Sequence, residues 1–241
     1  MLILIRRLVK LAVISDIHSN HEALAVALRD IERRGVDEIY CLGDIVGYGP
    51  NPATCVDLVR ANCAGVVLGN HDLAIAQWQD VEVLPRSGQA AAKHNRENLS
   101  DDHLDYLSTL PFTLVAHDCT FAHASPEAPD TWNRLASPMQ ARGQFEHFQT
   151  ALCFIGHTHI PAVMSNKFGS FRVRKGNRYL VNVGSIGQPR DGDPRLAYGL
   201  FDTESYTYEL VRLSYNYERV AQQIIDAGLP TRLADRLRKG E

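Results

Sequence analysis

Residues 11–18 read Leu-Ala-Val-Ile-Ser-Asp-Ile-His, an apolar run that stops at a carboxylate and an imidazole two positions apart. A short run rich in β-branched residues, without polar alternation, is the pattern of a buried strand. The arrangement recurs along the chain. Ile39–Gly43 (IYCLG) precedes Asp44, and Gly65–Gly69 (GVVLG) precedes Asn70 and His71. Thr120-Phe121-Ala122 precede His123, and Cys153–Gly156 (CFIG) precede His157-Thr158-His159. In an open α/β sheet, ligands gather outside the carboxyl ends of the strands. Donors scattered from residue 16 to residue 159 are therefore predicted to converge, and the convergence reads as a metal site.

Between these runs the first half of the chain alternates strand with helix. Residues 21–34 carry an apolar stripe at 24, 27, 28 and 31, and Gly35 supplies the stop. Asn51-Pro52 reads as an N-cap followed by proline at the first helical position, opening a helix to about residue 62. Residues 72–110 break the rhythm as a helical insertion, with helices at 90–98 and 101–110, the second capped by Ser100. An insertion directly after a motif either borders the site or packs on a sheet edge. After His159 the pattern becomes antiparallel, with strands at about 170–174, 178–184, 196–202 and 206–213 and a terminal helix over 216–227 closed by Gly228 and Pro230. No repeat, low-complexity tract or linker composition appears, so residues 1–241 are read as a single domain.

Composition excludes several classes. Lys+Arg at 25 against Asp+Glu at 28 lacks the basic excess of a general nucleic-acid binder. The five cysteines form no C-x-x-C pair, and Cys41 and Cys153 lie inside apolar runs, which fits free thiols in a reducing cytoplasm. The opening MLILIRRLVK is interrupted by Arg6, Arg7 and Lys10, so it does not read as a signal peptide, and it is left open as an edge extension or a tail. No stretch approaches the ~20 apolar residues of a membrane span, so no membrane association is expected.

The donor types indicate the metal. On an extended segment residues i and i+2 face the same way, so Asp16 with His18, and His157 with His159, each offer two donors locally. Carboxylate, amide and imidazole together suit Mn, Fe, Zn, Co or Ni better than Mg or Ca. Seven candidate ligands exceed the needs of one tetrahedral ion and suffice for two if a carboxylate bridges. Two divalent ions set against Asp16 and Asp44 leave a positive surplus, which suits an anionic phosphate ester. Metals about 3.5–4 Å apart activate a bridging hydroxide and stabilise both attacking and leaving oxygens.

Asp16-x-His18, Gly43-Asp44-x-x-Gly47-Tyr48-Gly49, Gly69-Asn70-His71-Asp72, Ala122-His123-Ala124-Ser125-Pro126 and Gly156-His157-Thr158-His159 together resemble the calcineurin-like metallophosphoesterases, over nearly the whole chain. The resemblance implies a four-layer α/β/β/α sandwich of two mixed β-sheets flanked by helices. It implies one metal on Asp16, His18 and His159, a second on Asn70, His123 and His157, and Asp44 bridging, most simply with two Mn²⁺. His71 is implied to protonate the leaving oxygen or steady the transition state, with Asp72 orienting it.

One departure narrows the class. The related protein Ser/Thr phosphatases carry Asp and Arg where this chain has Gly47 and Tyr48, so their arginine clamp is missing. The chain looks more like the compact prokaryotic phosphodiesterases and phosphatases of the family, and Gly184–Arg195 (GSIGQPRDGDPR) matches that subgroup. Arg190 in that segment, and Asn20 after the first motif, are candidate phosphate contacts. An arginine next to Asp191 and Asp193 also has a blander explanation as a surface ion pair. The expected activity is phosphodiester or phosphomonoester hydrolysis of a small phosphate ester or nucleotide, with the diester slightly favoured. The alternative is a catalytically silent interaction scaffold of the same fold, and self-association into a homo-oligomer is left open.

Overall fold

The computed structural model of the chain describes residues 9–167 and 172–241. Two five-stranded sheets form its centre. In the first, β1 (Lys10–Ile14) pairs in parallel with β2 (Glu38–Cys41), which pairs in parallel with β3 (Gly65–Val66). In the second, β4 (Thr113–Ala116) runs antiparallel to β5 (Cys119–Ala122), and β6 (Leu152–Ile155) lies parallel to β5. A hairpin partner, β7 (Ala162–Ser165), is antiparallel to β8 (Tyr179–Asn182), which lies parallel to β6. The last two strands, β9 (Leu196–Asp202) and β10 (Thr207–Leu213), return to the first sheet on the far side of β1. Both sheets are therefore mixed.

Strand β1 shows why its sequence is apolar without a break. Leu11 and Val13 point between the sheets, where they join Phe121, Phe154, Tyr179 and Phe201. Ala12 and Ile14 point outward, onto α1 (His21–Arg33), α2 (Pro52–Asn62), α7 (Tyr217–Asp226) and α8 (Thr231–Lys239) through Leu24, Val56, Ile224 and Leu233. A strand covered on both faces has no position where a polar side chain is favourable. The sheets meet through aromatic stacking, with Tyr40 of β2 and Phe121 of β5 at 4.3 Å between centroids. The outer face of the second sheet is covered by Phe145 and Phe148, following α6 (Pro138–Gly143), against Cys153, Ile155 and Leu180. The result is the expected α/β/β/α sandwich.

The expected insertion is made of α3 (Asn70–Gln77), α4 (Arg86–Glu97) and α5 (Asp101–Ser108), so its first helix starts on the motif itself. The Ser100 hydroxyl accepts from the His103 N–H at 3.3 Å, as a cap should. Two details differ from the sequence reading. Of the strand expected at 170–174, residues 170–171 lie outside the described residues and 172–174 are not strand, while β7 occupies an earlier position. The chain also does not end its helices at 227, because α8 follows and buries Leu233, Ala234 and Leu237. Among the described residues no helix is long and apolar enough to cross a membrane.

Candidate metal centre

All five motif loops leave strand ends on one rim, and their backbone is bent sharply. Asp16, His18, Asp44, His157 and His159 have φ of 53, 48, 51, 62 and 62°, in the left-handed region. Each such residue costs about 1–2 kcal/mol relative to ordinary backbone and persists only when neighbours hold it. The loops hold one another. The Asp16 N–H donates to the Gly43 carbonyl, His18 N–H to Asp44, Ser19 N–H to Ile45 and Gly187 N–H to Asp16. The donors thus leave turns rather than an extended segment, which corrects the expectation that residues i and i+2 simply share a face. His157 and His159 turn to different ends of the site.

Two clusters result, one of Asp16, His18, Asp44 and His159 and one of Asp44, His123 and His157. In the first, His159 Nε2 lies 3.2 Å from Asp16 Oδ1 and 3.1 Å from His18 Nε2, which is 3.6 Å from Asp44 Oδ2. In the second, His123 Nε2 lies 3.4 Å from Asp44 Oδ2, 3.1 Å from His157 Nδ1 and 3.3 Å from Asn70 Oδ1. Ligands at about 2.0–2.2 Å around one tetrahedral ion stand roughly 3–3.6 Å apart, so both sets of spacings suit a shared ion. Asp16 Oδ1 is buried with no hydrogen-bond partner, which an ion beside it would relieve. Asp44 belongs to both clusters.

Backbone carbonyls orient three of the imidazoles. His18 Nδ1–H donates to Val46 O at 3.1 Å, His123 Nδ1–H to Leu42 O at 2.7 Å, and His159 Nδ1–H to Gln188 O at 2.5 Å. Each bond fixes the tautomer that leaves Nε2 as a lone-pair donor, as in metal-ligating histidines. Charges follow the same geometry. Burial opposes ionisation of Asp16 and Asp44, but His159 beside Asp16 and His123 beside Asp44 overcome it and hold both carboxyls below their ordinary range. Burial likewise opposes a proton on His123, yet Asp44 pushes it up to about 9. Burial lowers His18 and His159, and burial with His123 nearby lowers His157 to about 3.

His71 lies against this centre. Its backbone N–H donates to Asp44 Oδ1 at 2.8 Å, its ring packs edge-on to His18 at 5.0 Å, and its buried Nδ1 has no partner. Burial, reinforced by Arg190, lowers it to about 4, so the imidazole is neutral near pH 7. Asp72 does not orient it. The Asp72 carboxylate instead accepts from the Val46 and Gly69 N–H groups, both at 3.1 Å, and ties two loops together. Burial and Asp44 raise this carboxyl to about 7.

Asn20 is also corrected. Its Oδ1 accepts from the Ala23 N–H and caps α1, while Nδ2 donates to Gly187 O and the Tyr215 hydroxyl. With these atoms engaged inside the fold, it is a structural cap rather than a phosphate contact. Arg190 has the opposite fate. Asp191 and Asp193 pair with Arg212 and Arg195, leaving the Arg190 guanidinium over the Tyr48 ring at 5.6 Å, where Nη2 donates to Gln188 Oε1 at 2.8 Å and the buried Nε has no partner.

One positioning residue was missed. Asn95 of α4 is fully buried, accepts from Ser19 Oγ (2.6 Å) and Gly47 N–H (2.7 Å), and donates to Gly49 O (2.9 Å). It staples the insertion to the first two motif loops. Nothing in RSGQAAAKHNRE distinguishes it from a surface asparagine except its place on the buried stripe with Ala91 and Ala92.

The family model for the calcineurin-like phosphoesterase superfamily domain matches residues 9–206. An uncharacterized protein of Methanocaldococcus jannaschii is 38% identical over 239 residues, covering 94% of this chain and 96% of that one. The crystal structure of a metallophosphoesterase from Sphaerobacter thermophilus is similar at a TM-score of 0.86 and 35% identity, over 97% of this chain and 99% of that one. A hypothetical protein of Pyrococcus horikoshii shares the fold at a TM-score of 0.81 and 22% identity, over 96% and 98%. The chain belongs to the calcineurin-like phosphoesterase superfamily.

Proposed function

We propose that this superfamily member is a metal-dependent phosphoesterase with two divalent ions. Asp16, His18 and His159 would hold one, Asn70, His123 and His157 the other, and Asp44, which belongs to both donor clusters, would serve either. The supporting observation is the pair of donor clusters that share Asp44, one of them with an unpartnered buried carboxylate oxygen on Asp16. The mixed imidazole, carboxylate and amide set suits manganese, with Fe, Zn, Co or Ni as substitutes. When bound, such ions supply an activated water and positive charge against the phosphoryl oxygens.

The protein's own residues do the rest. Arg190, steadied by its Nη2 bond to Gln188 Oε1, binds a phosphate oxygen through its guanidinium and orients the ester. His71, neutral but still carrying one ring N–H, hydrogen-bonds the leaving oxygen as negative charge grows there. Asp72 and Asn95 keep the loops bearing Asp44 and His71 in register. We read the substrate as a small phosphate ester or nucleotide, the diester slightly preferred, and the compartment as cytoplasmic, which the five free cysteines support. A silent scaffold would be expected to have lost His71 or several ligands, and this chain retains them all.

The test is hydrolysis of bis-p-nitrophenyl phosphate against p-nitrophenyl phosphate by chelator-treated protein resupplied with Mn²⁺, with His71→Ala alongside. Diester turnover that requires both metal and His71 is expected. Monoester preference would make the protein a phosphatase. Two bound metals without turnover of either ester would favour the scaffold.

A further inference from the structure

The metal centre opens into a cleft of about 1180 Å³. That exceeds the ~300–1,000 Å³ usual for small-molecule sites and is far more than one phosphate group fills. Its far wall is α8, which presents Arg232, Arg236 and Lys239, while Arg190, Arg86 and Arg134 line the remaining sides. Outside the metal centre only Asp235 and Glu241 oppose them among the lining residues, and Asp235 is paired with Arg238 on its own helix at 3.3 Å. Among the described residues, Arg232 and Lys239 form no ion pair and are exposed. The whole chain carries a net charge of −3, so this positive wall is a local feature.

The wall is built rather than incidental. Leu233 and Leu237 anchor α8 in the helical layer, and the Gly192 N–H donates to Gly240 O at 2.9 Å, fastening its end to the loop that bears Arg190. Arg236 and Arg190 both lie over the Tyr48 ring, at 5.7 and 5.6 Å. Partial burial and the neighbouring Arg190 charge lower the Arg236 pKa from its ordinary value. Crowded guanidinium groups are unfavourable alone and become favourable around a polyanion, whose oxygens they bind in bidentate pairs.

We propose that the α8 wall is a second anion subsite, which binds a phosphate group other than the one being cleaved and so selects esters carrying two or more phosphates. The apolar edge formed by Val83, Leu84 and Pro85 gives the organic part of such an oligophosphate ester a surface to cover. This inference rests on the phosphoesterase reading for its cleavage step, but the anion subsite itself is testable without it.

The experiment is calorimetric titration of the full-length protein, in chelator and at low salt, with inorganic tripolyphosphate and with orthophosphate. The variant is Arg232→Ala/Lys239→Ala, both positions being exposed. Lys239→Glu is an independent single variant, and Arg219→Ala on α7 is the charge control. Removing one charge-assisted hydrogen bond changes affinity about tenfold, so tripolyphosphate should bind at least about tenfold more tightly than orthophosphate and weaken by about that factor in the double variant. Lys239→Glu should weaken it in the same direction, and Arg219→Ala should not.

Tripolyphosphate binding no tighter than orthophosphate, or unchanged in the double variant, overturns the subsite. Metal-dependent hydrolysis of bis-p-nitrophenyl phosphate and of a nucleoside triphosphate by the wild type is measured in parallel. Hydrolysis without tripolyphosphate preference removes the subsite and keeps the phosphoesterase. Preference without metal-dependent hydrolysis of bis-p-nitrophenyl phosphate or of a nucleoside triphosphate supports the subsite and removes the phosphoesterase.

Discussion

Gly47→Ala adds one methyl group directly against the His71 imidazole. Gly47 has φ +98°, and a Cβ there would lie 2.7 Å from His71 Nδ1 and 3.0 Å from His71 Cγ. The imidazole cannot yield easily, because it is buried, packed on Tyr48 at 4.5 Å, and its backbone N–H is bonded to Asp44. The left-handed backbone costs about 1–2 kcal/mol for alanine. Overpacking adds about 1–3 kcal/mol. With a fall of ~2–4 °C per kcal/mol in a chain of this size, the melting temperature should drop by roughly 10 °C.

Gly35→Ala separates the two costs, since Gly35 also has positive φ (+62°) but nothing within 4 Å of its would-be Cβ. It should lose only the backbone part, roughly 2–8 °C. Turnover should fall about a hundredfold in Gly47→Ala alone, because the three atoms nearest the new methyl group all belong to His71, which is displaced. The assays are calorimetric melting, metal content by mass spectrometry and ester hydrolysis. Equal melting points for the two variants, or wild-type turnover in Gly47→Ala, would refute the reasoning.

Asp44→Asn should reduce bound metal from two ions to one or none and lower turnover by more than about a hundredfold, as read by metal analysis and kinetics. Full metal content in that variant would remove the shared-ligand assignment. Asn95→Ala leaves the Gly47 N–H, the Gly49 carbonyl and Ser19 Oγ without their partner, and should cost about 3 kcal/mol by thermal unfolding. A cost under ~0.5 kcal/mol would mean the staple is dispensable.

Metal binding must displace the proton that Asp44 holds on His123 up to about pH 9, so affinity should rise up to about tenfold per pH unit between pH 7 and 9, with proton release seen in buffers of different ionisation enthalpy. A flat profile across that range would contradict it. The same raised pKa gives the metal-free protein a stabilising contribution that is complete below pH 6.5 and lost as pH rises through about 9, measurable as falling melting temperature in chelator.

The convergence of candidate metal donors was legible because its signals are local. Leu11–Ile14 has to be a buried strand, and a carboxylate, amide or imidazole at the end of such a strand emerges on the ligand-binding rim whatever the rest of the chain does. The turns themselves were not legible. Left-handed backbone at Asp16, His18 or His159 is unfavourable for those residues taken alone and exists because carbonyls of other loops bind their amides and rings. For the same reason Asn20 looked like a phosphate contact when its side chain caps α1, and Asp72 looked like a partner of its neighbour His71 when it bonds the backbone of Val46 and Gly69.

Amino-acid order alone therefore accounts for the α/β class, the superfamily and the set of donors, since each depends on strand burial and ligand chemistry within a few residues. The cleft beyond the metals is a different matter. Thr231–Lys239 follows a Gly and a Pro that read as an ending. Arg232, Arg236 and Lys239 line the cleft because Leu233 and Leu237 dock onto the helical layer and Gly240 is bonded to Gly192 beside Arg190. Which charges surround the substrate is set by contacts between segments far apart in sequence, and only the folded chain brings those segments together.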